Sequence, residues 1–127
     1  MAEFVKGDVV VVPFPFSDLS QAKRRPALVI SKLDGDDLIL CQITSQTVKD
    51  NYAVPINKSD FESGDLKQSS NIRPNRIFTA DSHIILYKVG NLTKNKVNQI
   101  IESIVEILRR CIVCLYQESV NNTFNIA

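Results

Sequence analysis

Three short segments of this chain carry side chains that could grip and rearrange a phosphate. The first is Lys23-Arg24-Arg25, three consecutive cations set directly before Pro26. A proline biases the residue before it toward extended backbone, so Arg25 is the best fixed of the three. A guanidinium fixed there can hold a phosphate through two parallel hydrogen bonds. The second segment is Gln42-Ile43-Thr44-Ser45-Gln46, where the Thr44 and Ser45 hydroxyls close an apolar run and can donate to a phosphate oxygen. The third is Ile72-Arg73-Pro74-Asn75-Arg76-Ile77-Phe78-Thr79. Strand alternation puts Arg73 and Asn75 on one face and Ile72 on the other, with Arg76 following. Each segment alone has a plainer reading: a solvated charge run, hydroxyls that end a strand, arginines on an exposed face. Two arginines with an amide between them, added to the other two segments, shift the balance toward an anion site.

Other chemistries find little support. The one histidine, His83, follows Asp81-Ser82 in a turn and reads as a surface residue. Cys111-Ile112-Val113-Cys114 has redox or half-zinc spacing, but no second pair accompanies it, and its apolar setting reads as packing. Cys41, inside an apolar run, reads the same way. No glycine-rich phosphate loop and no Ser/His/Asp set can be assembled, so neither a metal site nor a cofactor is expected.

The elements that must position these residues are mostly strands. Asp8 to Phe14 holds four successive valines, too uniformly apolar for a one-sided strand, and is expected to be buried on both faces. Pro13 and Pro15 place its end at a sheet edge or bend. Ser17 to Arg24 reads as loop, Pro26 to Lys32 as a second strand and Asp37 to Thr44 as a third, with Asp34-Gly35 as the hairpin signal between them. Tyr52 to Asn57 reads as a strand that Pro55 assigns to an edge, and Lys58 to Ser70 as loop or a short helical turn. Asn71 to Thr79 and Ile84 to Val89 read as two more strands. Thr93 is the expected N-cap of one helix, on which Val97, Ile100, Ile101, Ile104, Leu108, Cys111 and Ile112 form an apolar stripe. Arg109 and Arg110 suit a C-terminal helix dipole. Val105 and Ile107 widen the stripe and suggest a second contact, such as a dimer partner. Many short strands with one terminal helix predict a small, strongly bent β-barrel of α+β class. Residues 1–117 are read as one domain and 118–127 as a flexible tail.

Composition sets the outer bounds. At 127 residues, the chain is one domain in length and can bury about two-thirds of its unfolded surface without disulfide or metal. Its 15 basic and 14 acidic residues leave a net charge of +1, so nucleic-acid binding must rest on a local patch. There is no signal-peptide pattern and no apolar run of membrane-spanning length. With an odd number of cysteines in apolar settings, the expected compartment is the reducing cytoplasm, with no membrane partner.

The stretch from Gly7 to Ser31, Gly-Asp-Val at its start and Arg-Pro-Ala-Leu-Val-Ile near its end, closely resembles the opening of the PemK/MazF-like toxins of bacterial toxin–antitoxin pairs. In that family an Arg-Pro opens the second strand, matched by Arg25-Pro26. A Thr-Ser or Thr-Gly ends the third, matched by Thr44-Ser45, and an Arg-x-Asp on a later strand is matched by Arg73-Pro74-Asn75. The resemblance runs from about Gly7 to Leu108. It implies an SH3-like β-barrel with a C-terminal α-helix, forming a homodimer. It implies metal-independent, sequence-specific cleavage of single-stranded RNA such as mRNA, neutralised by a cognate antitoxin that would be the only link to DNA. Arg25, Thr44, Ser45, Arg73 and Asn75 would form the catalytic set, and Gln21, Lys23, Arg24 and Arg76 would bind RNA around it. Two departures stand out: Ser20-Gln21 replaces the family's Glu-Gln, and Asn75 replaces its aspartate. A guanidinium stays protonated and an amide exchanges no proton in the useful range, so the set lacks an acid or base. This leaves an altered ribonuclease, which Asn75→Asp should accelerate. The alternative is a non-catalytic RNA- or antitoxin-binding barrel that co-represses its own operon.

Overall fold

The four valines of the first strand have apolar cover on both faces. The computed structural model describes residues 3–14 and 19–120, apart from the side chains of residue 19 and residues 110–120. In β1 (Asp8–Phe14), Val9, Val10, Val11 and Val12 are all buried. Val10 and Val12 join Ala27, Val29, Leu38, Leu40 and Ala80 in one apolar layer. Val9 joins Leu28, Cys41, Ile43 and Ile72 in another, which also takes Val97, Ile100 and Ile104 of the helix. A strand apolar at every position needs such cover on both sides.

The remaining elements are β2 (Lys23–Lys32), β3 (Asp37–Thr44), β4 (Val54–Ile56), β5 (Phe61–Gly64), β6 (Ser70–Asp81), β7 (Tyr87–Leu92) and α1 (Lys94–Val120). The strands form one antiparallel sheet in the order β4-β6-β3-β2-β1-β7-β5. It curls into a half-barrel with the helix after it, the α+β class expected. The β2–β3 hairpin turns at Gly35, whose φ of 78° is a left-handed conformation that suits glycine. Asp8 is buried at the start of β1. Its carboxylate accepts the Val5 N–H at 3.0 Å and pairs with Lys88 Nζ at 3.1 Å, which satisfies an otherwise costly buried charge.

Several elements depart from the sequence reading. β2 begins at Lys23 rather than Pro26, because β1 continues to Phe14 and offers partners to Lys23, Arg24 and Arg25. The cation triplet is therefore strand, not loop. β5 lies where loop was expected. It is a four-residue edge strand whose side chains are mostly exposed, so it has no apolar alternation to read. The last strand is Tyr87–Leu92 rather than Ile84–Val89. Ser82–Ile84 is a 3-10 turn, and Ile84 and Ile85 pack against the Val10/Val12 layer instead of pairing. β4 is shorter than expected but sits at the sheet edge, as Pro55 requires.

Thr93 caps α1 as expected, its Oγ1 accepting the Lys96 N–H at 3.3 Å. Val97, Ile100 and Ile104 are buried, but Leu108 on the same stripe is 63% exposed. Arg109 and Arg110 lie inside the helix, which continues to Val120, so they do not serve its C-terminal dipole. The side chains of Cys111, Ile112 and Cys114 lie outside the described residues, as do residues 121–127 of the expected tail.

Candidate phosphate-binding site

Strands β2, β3 and β6 are neighbours, and their registers gather three of the candidate residues at one end of the sheet. Ala27 pairs with Gln42. The β2–β3 pairing ends there, with Arg25 two residues before Ala27 and Thr44 two residues after Gln42, so both lie toward the same end of the sheet. Both share the face of Ala27, Val29 and Leu40, opposite the face that α1 covers. Thr44 in turn pairs with Asn71, and Ile43 with Ile72, which places Arg73 one residue along.

Between these strands the ladder breaks. Ile43 pairs with Ile72 and Cys41 with Ile77, so two steps along β3 match five along β6. The four residues Arg73 to Arg76 stand opposite Gln42 alone, a surplus of three, and bulge from the strand with Pro74 buried among them. Bulges of this kind re-aim side chains, and here the re-aimed residues include Arg73 and Asn75. The bulge is pinned from below by the Cys41 thiol, which donates to the Arg73 carbonyl at 2.9 Å. Burial pushes that thiol up to about 12, so Cys41 is a packed donor and not a nucleophile.

The bulge also meets a residue that motif matching did not find. Asp50, from the segment between β3 and β4, pairs with Arg73 Nη2 at 2.8 Å through its Oδ2. The Asn75 amide reaches the same oxygen at 3.5 Å. The other carboxylate oxygen accepts the Tyr52 N–H at 2.9 Å. That backbone hydrogen bond, reinforced by Arg73, holds the Asp50 carboxyl below the ordinary aspartate value. The ion pair is half-enclosed, with side-chain exposures of 18% for Arg73 and 28% for Asp50. The guanidinium Nε is buried with no partner among the described residues. The signal for Asp50 was slight: it is the one acidic residue between Thr44 and Val54.

Around this centre the other candidates take distinct positions. The Thr44 hydroxyl oxygen accepts the Gln46 N–H at 3.1 Å, which leaves its own proton for donation. Ser45, just past β3, is exposed, as are Lys23 and Arg76. Gln21 is exposed in the 3-10 turn Leu19–Gln21. Arg24 alternates with Arg25 and so faces the opposite side of β2. His83 is exposed at the far end of the sheet, where Asp37 pairs with Asp81. From there to Thr44 is the whole length of β3, about 23 Å at strand rise. Its Nδ1 lies 2.6 Å from Asp81 Oδ1, and that hydrogen bond, with the Asp81 and Asp36 charges, raises it above the ordinary histidine value. A surface groove of about 640 Å³ also lies at that end, lined by Phe4, Leu38, Ile85 and His83 among others. The convergent cations are not there, so groove size does not mark the phosphate chemistry.

A family profile, described as the PemK-like, MazF-like toxin of type II toxin–antitoxin systems, matches residues 5–108. The chain belongs to this toxin family. Comparison with curated proteins returned no significant match. Among solved structures, it is similar to an endoribonuclease in complex with its cognate antitoxin from a mycobacterial species, with 15% identity and a TM-score of 0.66 over 84% of this chain and 95% of that one. A second mycobacterial endoribonuclease matches at 18% identity and TM-score 0.64, over 85% and 93% of the two chains. A MazE–MazF structure from Deinococcus radiodurans matches at 16% identity and TM-score 0.65, over 85% and 97%. At these identities the structural likeness concerns the fold. Among the described residues, no helix is long and apolar enough to cross a membrane.

Proposed function

We propose that this protein is the toxin of a type II toxin–antitoxin pair and acts as a metal-independent endoribonuclease on single-stranded RNA. The observation that supports this is the position of Arg25, Thr44 and Arg73 toward the same end of the neighbouring strands β2, β3 and β6, in a chain of the toxin family. Cleavage without a metal uses the neighbouring 2′-hydroxyl as nucleophile. The O2′–P bond forms while the P–O5′ bond breaks, leaving a 2′,3′-cyclic phosphate and a 5′-hydroxyl. The protein must align this displacement and neutralise the pentavalent phosphorane. Arg25 and Arg73 supply positive charge, and the Thr44 and Ser45 hydroxyls orient the non-bridging oxygens. Lys23 and Arg76 hold flanking phosphates, and Gln21 contacts the RNA. Asn75 fixes the geometry of the bulge but moves no proton. The antitoxin would occupy this same cationic end, and the working form would be a cytoplasmic homodimer.

The test is incubation of the pure protein with a panel of single-stranded RNAs in excess chelator, beside oligonucleotides carrying one 2′-deoxy sugar. Cleavage lost only when the scissile 2′-hydroxyl is removed supports the ribonuclease. Binding without cleavage across the panel would leave a non-catalytic barrel.

A further inference from the structure

The catalytic set read from the motifs lacks any group to take the proton from the 2′-hydroxyl. Two arginines stay protonated, threonine and serine hydroxyls are too weakly acidic to cycle, and Asn75 is an amide. His83 is removed by the length of β3, and the Cys41 thiol is buried on the helix-covered side of the sheet. Asp50 is different. Its carboxylate lies in contact with both Arg73 and Asn75, on a segment anchored by the Tyr52 N–H, and it remains partly open to solvent.

Granted the ribonuclease reading, we propose that Asp50 is the catalytic carboxylate of this site, accepting the 2′-hydroxyl proton in place of the acid that position 75 lacks. The step balances without a co-reactant. The 2′-hydroxyl proton passes to Asp50 as O2′ attacks phosphorus and the P–O5′ bond breaks; the departing O5′ takes a proton from water, and Asp50 returns its proton to the hydroxide so formed, which restores both the carboxylate and the water. A guanidinium carries five N–H donors, so Arg73 can hold Asp50 and a phosphate oxygen together. An arriving phosphate also offsets the Arg73 charge felt by Asp50. That raises the carboxylate's proton affinity when it must act as base, although it is held ionised before substrate binds.

The test relocates the carboxylate. Asp50→Asn keeps one oxygen to accept the Tyr52 N–H but turns an amide donor toward Arg73, so its fold is checked by thermal melting. The expected result is a loss in kcat of about 10²–10⁴-fold, the usual worth of a positioned general base, with KM little changed. The double variant Asp50→Asn/Asn75→Asp returns a carboxylate to the same place and is expected to recover at least tenfold over the single variant. If Asp50→Asn cleaves as well as the parent or better, the carboxylate merely competes with phosphate for Arg73, and the proposal is overturned. A slow Asp50→Asn that the second substitution fails to rescue overturns it as well, leaving Asp50 as a holder of Arg73. A parent protein that cleaves nothing in the panel fails earlier, at the ribonuclease reading itself, and takes this proposal with it.

Discussion

Arg73 is held by its backbone and by its side chain, through the Cys41 thiol on its carbonyl and Asp50 on its guanidinium. A lysine there would keep the charge but lose the planar fork that can serve a carboxylate and a phosphate at once. Arg73→Lys is therefore expected to lower the cleavage rate by about 10²–10³-fold, comparable to losing one charge-stabilising donor, as single-turnover kinetics would show. Asp50 also alters the expectation for Asn75→Asp. The substitution removes an amide donor from Asp50 and sets a second carboxylate against it. In the parent background it should therefore bring no acceleration, which the same kinetics would check. At the far end of the sheet, the sign of a pH effect follows from His83. Its value is raised in the folded protein by Asp81 and Asp36, so its contribution to stability is complete below the ordinary histidine value of about 6.5. That contribution fades as pH rises through the raised value. His83→Gln should accordingly lower the melting temperature in mildly acidic buffer, with the gap closing under alkaline conditions.

Among the elements, what could be read in advance was whatever repeats. The valines of β1, the Asp34-Gly35 turn and the Val97/Ile100/Ile104 spacing each imprint a period or a turn preference on the sequence, and each was legible. Ile100 is fully buried between α1 and the sheet, so Ile100→Ala should destabilise the fold by about 2–5 kcal/mol in denaturant melts. The edge strand β5 was not legible, because its exposed side chains carry no alternation and its pairing depends on close backbone approach. Gly64 pairs with Gly90, and a Cβ on Gly90 would collide with the Ser63 carbonyl oxygen. Gly90→Ala is expected to release β5 from β7, seen as faster amide exchange confined to that edge. The site was half legible for the same reason. Arg25 and Thr44 announce themselves by strand position, whereas Asp50 reaches Arg73 only because the bulge and the β3–β4 segment converge in space. Nothing in local spacing records that meeting.

For the whole molecule, the balance of 15 basic and 14 acidic residues means that affinity for RNA has to come from how charge is distributed over the sheet's two faces. The face away from α1 carries Arg25, with Lys23 two residues before it on the same side of β2, whereas Arg24 alternates to the other side. Each phosphate contact on a single strand releases counterions and contributes about −0.7 to the slope of log affinity against log salt. Lys23→Ala should therefore make the slope shallower by about 0.7 for an RNA blocked by 2′-deoxy substitution, while Arg24→Ala should leave it near the parent value. Titrations by fluorescence anisotropy across a salt series would measure both. Equal effects from the two substitutions would mean that the strand wraps the edge of β2, and that the RNA path is not confined to the face on which Arg25 and Thr44 lie.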